Sequence, residues 1–491
     1  VLLVLLGVAG ALGIAARLHT GSALWLDESL SVAIAKRPLP DLFDALRRDG
    51  SPPLYYLALH YWMELFGEGD TATRSLSMIF SLATLPVVWL CGRRLGGPSA
   101  AWGAALTLAV TPFAVRYATE TRMYALVQLL SAIGVLVVLR ALERPSVLRL
   151  VPVAVVSGCL ALTHYWALFL LSVSALLLLF LAWRSAERRP PLLTFGALVG
   201  GFVLFLPWLP SFLFQQAHTG TPWAATPKTE DVWRTFVFWA GNVGWAPPAL
   251  AIVLIGFVLL AVLGHREDRG VTLSLPVRWS SVAVLAVAFG TLVLGLLAGI
   301  VFGAGYSPRY SSVAVVPAVL VTALGLVSLP AASQRGTLVL VAWLGLTSSA
   351  PMFFSDDRTQ AAVTASRIGV ALQPTDVVVY CPDQLGPSVS RLLPPATDQV
   401  GYPLLDSPEL IDWVDYAQRN AAADPVAIAD TLDERTDGAV FVVWSPGYRT
   451  FGDQCEQLID ELGMRRGNPV TIQQRQPHFG EQERVERFPG R

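Results

Sequence analysis

The sequence predicts a polytopic α-helical membrane protein that ends in an α/β domain. Three observations predict it. The 491 residues are 54% hydrophobic and only 14% charged, whereas soluble domains carry roughly 25% charged residues. Apolar runs long enough to cross a bilayer recur throughout residues 1–353. From 354 to 491 the chain turns polar, and strand-like runs alternate with helical patterns. A net charge of −1 argues against a nucleic-acid partner.

Windows of roughly 17–22 residues yield about eleven transmembrane helices. They lie near 1–18, 72–91, 98–115, 121–140, 147–163, 166–183, 192–210, 248–264, 280–302, 309–329 and 336–353. The first lacks the basic stretch and small-residue cleavage site of a secretory signal, so it is expected to be a retained span. Because the chain begins at Val1, a short leader may precede it. Basic residues cluster in alternate loops: Arg93-Arg94; Arg140, Arg144 and Arg149; Arg184, Arg188 and Arg189; His265, Arg266, Arg269 and Arg278; and Arg335. The positive-inside rule makes these loops cytoplasmic and, with an odd number of spans, the C-terminal part extracytoplasmic.

The first outer loop, 19–71, is long and partly apolar. Residues 29–48 and 54–66 are expected as interfacial helices, broken at Pro38, Pro40 and Pro52-Pro53. The C-terminal part shows strand-like runs at 376–380 and 439–444 and helical patterns over 357–372, 408–434 and 453–464. It has no Gly-rich nucleotide fingerprint. Cys381 and Cys455 fall in this part, and outside the cytosol they could form a disulfide or remain two buried thiols.

The chemistry-bearing residues all fall in outer breaks. Asp27 and Glu28 follow the first span within Leu24-Trp25-Leu26-Asp27-Glu28-Ser29. Adjacent acids near lipid are costly, and a carboxylate can deprotonate an acceptor hydroxyl. One of them could instead cap a helix beginning near Ser29. Glu28 could orient its neighbour or bind a metal. Arg116-Tyr117-Ala118-Thr119-Glu120-Thr121-Arg122-Met123-Tyr124 offers arginine forks suited to phosphate and tyrosines suited to a sugar face or headgroup level. If 120–124 opened the fourth span, Glu120 and Tyr124 would share a face and Arg122 would point elsewhere. Tyr306-Ser307-Pro308-Arg309-Tyr310 could hold a second phosphate oxygen, or Arg309 could snorkel to headgroups. His164-Tyr165 stands at another outer span end. His60 and His218 are weaker candidates. The sequence has no HExxH, paired CxxC or dense Asp cluster, so it demonstrates no metal site, and a divalent cation stays open.

Taken in order, Trp25-Leu26-Asp27-Glu28, Ser51-Pro52-Pro53-Leu54-Tyr55-Tyr56, Thr119-Glu120-Thr121-Arg122-Met123-Tyr124-Ala125-Leu126, Leu206-Pro207-Trp208-Leu209 and Pro308-Arg309-Tyr310 resemble the GT-C superfamily of polytopic glycosyltransferases. The closer likeness is to its protein-mannosyltransferase and aminoarabinose-transferase-like branch. It covers roughly residues 1–330. Ser51 stands where that family often has histidine. The Arg-, Ala- and Leu-rich style suits an actinobacterial source.

The resemblance implies a polyprenyl-phosphate monosaccharide donor used at the outer face of the plasma membrane. Asp27 matches the family's catalytic acid and Glu28 its neighbour. Arg122 and Arg309 match residues suited to the lipid phosphate, and Tyr55, Tyr124 and Tyr310 line the donor. Tyr56, Glu120, His164 and Tyr165 join them as substrate-binding candidates. The expected activity is inverting transfer of mannose or arabinofuranose to a hydroxyl of a cell-envelope glycan, glycolipid or protein. The domains expected are 1–353, membrane and catalytic, and 354–491, extracytoplasmic, open to an acceptor glycan or a partner. The rivals are a lipid-linked-sugar transporter or flippase, which should place charges at mid-membrane, and a non-catalytic membrane scaffold.

Overall fold

The computed structural model describes residues 1–18, 20–267, 270–275, 277–354 and 358–491. Arg269 of the basic-loop pattern, and residue 357 where a helix is expected to begin, lie outside the described residues. The chain folds as a bundle of apolar helices with a sheet-containing C-terminal region packed on its polar loops.

The helices in order are α1 (Leu2–Ala15), α2 (Leu26–Ala35), α3 (Leu39–Asp49), α4 (Leu54–Phe66), α5 (Asp70–Val110), α6 (Pro112–Ala118), α7 (Tyr124–Glu143) and α8 (Val147–Ala161). Then come α9 (Ala167–Arg184), α10 (Arg189–Gly200), α11 (Leu209–His218), α12 (Glu230–Trp239), α13 (Ala246–Leu263), α14 (Trp279–Phe302), α15 (Ser312–Val327) and α16 (Ala331–Phe354). The apolar windows fall on helical segments, but the expected eleven separate spans are not established: 98–115 crosses from α5 into α6, and 192–210 runs from α10 through two 3-10 turns into α11. Among the described residues, six helices are long and apolar enough to cross a membrane. The pair Arg189–Leu204 and Leu206–His218, bent by 43°, would make a seventh. The helices at Leu2–Ala15 and Val147–Ala161 are apolar but shorter. Two windows merge in α5, which breaks where Gly96 and Gly97 leave helical geometry before Pro98; Gly97 has φ +76°, a conformation that favours glycine.

The first loop departs from expectation in one respect that matters. α2 begins at Leu26, not near Ser29, with Trp25 as its N-cap and no side-chain cap. Asp27 and Glu28 therefore both sit in its first turn, where the helix dipole favours negative charge. Pro40 lies in the first turn of α3 rather than at a break, because proline there costs no backbone hydrogen bond. α3 ends at Gly50, whose φ of +86° closes the helix and turns the chain into Ser51-Pro52-Pro53. Between the apolar windows 192–210 and 248–264 the chain carries most of α11 and all of α12.

A short antiparallel hairpin, β1 (Gly264–Arg266) with β2 (Val271–Leu273), follows α13. The C-terminal region opens with α17 (Ala361–Ala371) and holds a mixed sheet of β3 (Val377–Cys381), β4 (Asp398–Gly401), β5 (Val440–Trp444), β6 (Val470–Gln473) and β7 (Arg484–Phe488), in the order β4-β3-β5-β7-β6. β3 is parallel to β4 and β5; β7 is antiparallel to β5 and β6. β3 and the Val440–Val443 part of β5 are fully buried, as their unbroken valine-rich runs require. The helical pattern over 408–434 is not one helix: it resolves into Tyr416–Ala421 and Pro425–Arg435, and Asp424 caps the second by accepting from the Val426 and Ala427 N–H groups. Cys381 and Cys455 are joined in a disulfide.

This region is clamped to the loops. Arg391 pairs with Asp70 at 2.7 Å and Lys36 with Glu409 at 3.0 Å. The Trp413 N–H donates to the Arg48 carbonyl at 3.2 Å, and the buried Arg358 donates to the Thr119 carbonyl at 2.5 Å.

Candidate active site

The first turn of α2 decides what each acid can do. Successive helical residues are separated by about 100° around the axis, so Asp27 and Glu28 face different surroundings. Glu28 points into the protein and is fully buried. Arg74 grips it through Nε at 2.7 Å and Nη2 at 2.6 Å; the Thr121 N–H donates at 2.9 Å, and Arg358 lies 3.7 Å away. Burial pushes the Glu28 carboxyl up, but the Arg74 hydrogen bonds and charge, with Arg358 and Thr121, outweigh it and hold the carboxyl below its ordinary range.

Asp27 instead lines a cavity of about 680 Å³. Its Oδ2 accepts from Arg309 Nη1 at 2.5 Å and lies 4.0 Å from Arg122 Nε. Arg122 is aimed by its other contacts: Nη1 donates to Ser31 Oγ and Tyr56 Oη, each at 3.2 Å. Arg309 sits over Trp223, 4.8 Å from the ring centroid, and Trp25, at 5.7 Å, so aromatic faces hold the guanidinium without using its N–H groups. Arg122 Nε, Arg309 Nε and the Tyr124 hydroxyl are buried with no hydrogen-bond partner among the described residues. Three unused donors around one carboxylate suit an anionic ligand.

The turn 119–123 precedes α7 rather than opening it, so the shared face expected for Glu120 and Tyr124 does not form. Glu120 turns to Arg116, which donates at 3.0 Å, while burial pushes its carboxyl up. Tyr124, His164 and Tyr310 form an aromatic row, with centroids 5.7 Å and 5.6 Å apart. His164 Nδ1 accepts from the Trp166 N–H at 3.1 Å. Burial, with Arg122 and Arg309 nearby, pushes its pKa down to about 3. His164 is thus a neutral imidazole whose Nδ1 lone pair is occupied, an arrangement unsuited to a general base.

Three sequence candidates stand behind this cluster. Tyr55 bonds Ser77 at 3.2 Å, which in turn donates to the Arg122 carbonyl. Tyr56 supports Arg122 and also reaches Asp49, 3.4 Å away. Tyr165 belongs to a separate knot, donating to Gln215 and accepting from Trp208 Nε1 at 2.9 Å. Arg74, Asp49, Trp223, Arg358 and Glu481 were not singled out from sequence. Arg74 carried a signal, being a charge on an apolar helix; the others are joined to the site only by tertiary contact.

No group of three or more His, Cys, Asp or Glu side chains converges among the described residues. Asp27 has two guanidinium groups around it and Glu28 two more, so neither carboxylate offers the net negative site a divalent cation needs. No step below runs through one.

Residues 50–211 match the family model described as dolichyl-phosphate-mannose-protein mannosyltransferase. No curated protein sequence matches the chain. Among solved structures, it is similar to ArnT from Cupriavidus metallidurans bound to undecaprenyl phosphate, at 12% identity and TM-score 0.56, covering 99% of this chain and 97% of that one. It is similar to the Archaeoglobus fulgidus oligosaccharyltransferase in the apo form, at 10% identity and TM-score 0.51, over 90% and 69% of the two chains. It is also similar to the arabinofuranosyltransferase AftD from Mycobacteria, at 14% identity and TM-score 0.51, over 99% of this chain but 40% of that one. The chain has the fold of the GT-C membrane glycosyltransferases.

Proposed function

With the GT-C fold as premise, we propose that the protein is an inverting glycosyltransferase that takes a monosaccharide from a polyprenyl-phosphate donor and transfers it to an acceptor hydroxyl. The observation that carries this reading is Asp27, a cavity-facing carboxylate flanked by two arginines with unused N–H groups. Asp27 takes the proton of the acceptor hydroxyl. The acceptor oxygen bonds to the anomeric carbon from the side opposite the phosphate, and the carbon–oxygen bond to phosphate breaks with its electron pair. The phosphate gains one negative charge as it leaves. Arg309 and Arg122 stabilise that charge where it develops. In the structure Asp27 occupies Arg309; a donor phosphate competes for the same guanidinium and so frees the base. Glu28 acts as a positioning residue: it fixes the first turn of α2 and, through the Thr121 N–H, the turn that carries Arg122.

A second feature supports a lipid-linked donor. An apolar cavity of about 380 Å³ lies among α7, α8, α9, α10 and α14, lined by residues such as Ser131, Leu160, Leu170 and Val287. Ser131 is two turns along α7 from Tyr124, about 10 Å at the helical rise. A prenyl chain would run from the arginines into this space. The sugar is proposed as mannose or arabinofuranose, in line with the mannosyltransferase family model and with one structural relative, an arabinofuranosyltransferase.

We read residues 1–353 as the catalytic membrane part and 354–491 as an outer part at the extracytoplasmic face of the plasma membrane. The disulfide supports that side, since disulfides persist in oxidising compartments. The test is an assay of purified protein with a panel of polyprenyl-phosphate sugars and cell-envelope extract, reading transfer and product anomeric configuration. Inverted product is expected. No transfer from any donor that binds overturns the reading in favour of transport or scaffolding.

A further inference from the structure

The cavity over Asp27 is closed on its far side by the C-terminal region. Trp25, from the loop before α2, and Trp223, from the segment after α11, wall one part. Trp413, Tyr448, Phe479 and Glu481 wall the other. Its volume lies inside the roughly 300–1,000 Å³ range of small-molecule sites. Aromatic faces around a polar floor suit the C–H faces of a sugar ring.

The three guanidinium groups on the lining have partners within the protein, and the remaining basic side chain there is the exposed His478. Arg309 pairs with Asp27, Arg116 with Glu120, and Arg358 donates to Thr119 and sits beside Glu28. No guanidinium in the C-terminal wall is left for an anionic acceptor, since Arg309 and Arg122 serve the donor phosphate. The carboxylate of the C-terminal wall is Glu481. It is held in place through its backbone, its N–H donating to the Arg358 carbonyl at 3.0 Å and its carbonyl accepting from the Gln360 N–H at 2.9 Å. The side chain is buried; its carboxyl meets the Thr359 and Ser388 side chains, and Oε2 has no hydrogen-bond partner among the described residues. Trp25 Nε1 is likewise a buried donor without a partner among the described residues. Glu481 and Trp25 both line the cavity, so it offers an acceptor and a donor to a hydroxyl, which both gives and receives a hydrogen bond. The Glu481 carboxyl lies at the Leu26 N–H, one residue from Asp27, and burial pushes its pKa up to about 7.

We propose that this cavity is the acceptor subsite, that it takes a neutral saccharide rather than a peptide or a charged headgroup, and that Glu481 and Trp413 of the C-terminal region hold it. The inference rests on the glycosyltransferase reading for the word acceptor, but binding can be measured without turnover.

The experiment uses full-length protein in detergent. Neutral oligosaccharides of mannose and of arabinose, an anionic sugar phosphate and a serine-rich peptide are titrated separately and followed by saturation-transfer NMR. The neutral oligosaccharides are expected to bind the parent. Glu481→Gln, Trp413→Ala and Phe479→Ala, each checked for an unchanged unfolding midpoint, are expected to weaken that binding at least tenfold, with Glu481→Asp recovering part of it. Phe479 is a half-buried rim residue, so Phe479→Ala keeps the test open if Trp413→Ala fails to fold. Where transfer is measurable, the acceptor KM should rise more than kcat falls. Preference for the peptide or the sugar phosphate overturns the proposal, as does equal binding by all the variants or no saccharide binding to the parent. Saccharide binding without transfer from any donor keeps the subsite and removes the glycosyltransferase reading.

Discussion

Asp27 and Glu28 are adjacent carboxylates with opposite surroundings. Around Glu28 every strong contact is made inside the protein: Arg74 grips both oxygens, Thr121 donates, and no face meets the cavity. Around Asp27 one guanidinium is bound and a second stands off at 4.0 Å, and both keep a donor unused. The first environment is complete and rigid; the second is poised to exchange a partner. The difference teaches that charge beside a membrane has two uses, one spent on holding loops together and one kept available for a ligand. A helix start is an economical way to build both, because one residue step turns a side chain from the interior to the cavity.

The largest expected effect on the Glu28 side is loss of stability. Glu28→Ala leaves Arg74 buried without its carboxylate, which costs about 3–5 kcal/mol. The unfolding midpoint in detergent should fall sharply, and a midpoint near the parent's would break the comparison. On the Asp27 side the effect should fall on function. Arg309→Ala should lower kcat by about 10²–10³ while the unfolding midpoint stays near the parent's. Arg309→Lys should restore little, because an ammonium cannot reproduce the planar fork between Trp25 and Trp223. Full rescue by lysine would reduce Arg309 to a point charge.

The smallest effect concerns pH. His164 has a pKa near 3 in the folded protein against an ordinary 6.5. Between those values the unfolded chain binds the proton and the folded one does not, so this residue makes stability rise with pH across that window and adds nothing above it. His164→Gln should flatten the acid side of the stability profile and leave the pH dependence of transfer between pH 6 and 8 unchanged, since the imidazole is neutral throughout that range. A changed pH dependence there would return His164 to proton chemistry.

Much of this arrangement was legible in the sequence, for physical reasons. Apolar windows mark helices because the backbone must satisfy itself away from water. The unbroken apolar runs at 377–379 and 440–443 mark buried strands. Asp27, Arg122, Tyr124, Arg309 and Tyr310, picked out as charges and tyrosines in outer breaks, come together in space. What was not legible is pairing across distance. Nothing local says that Glu28 meets Arg74, 46 positions away, or that Glu481 closes the cavity over Asp27. Tyr165 shows the converse, a residue at a span end whose hydroxyl is used up by Gln215 and Trp208. The short strands 398–401, 470–473 and 484–488 were missed because they are polar or brief and carry no sustained apolar run.

The central claim is that Asp27 acts and Glu28 holds. Its most direct test is Asp27→Asn measured for both transfer rate and unfolding midpoint, beside Glu28→Gln in the same detergent and with the same donor. The account predicts that Asp27→Asn loses transfer by about 10²–10⁴ with its midpoint close to the parent's, while Glu28→Gln loses midpoint first and keeps more transfer per folded molecule. Full transfer by Asp27→Asn would contradict it.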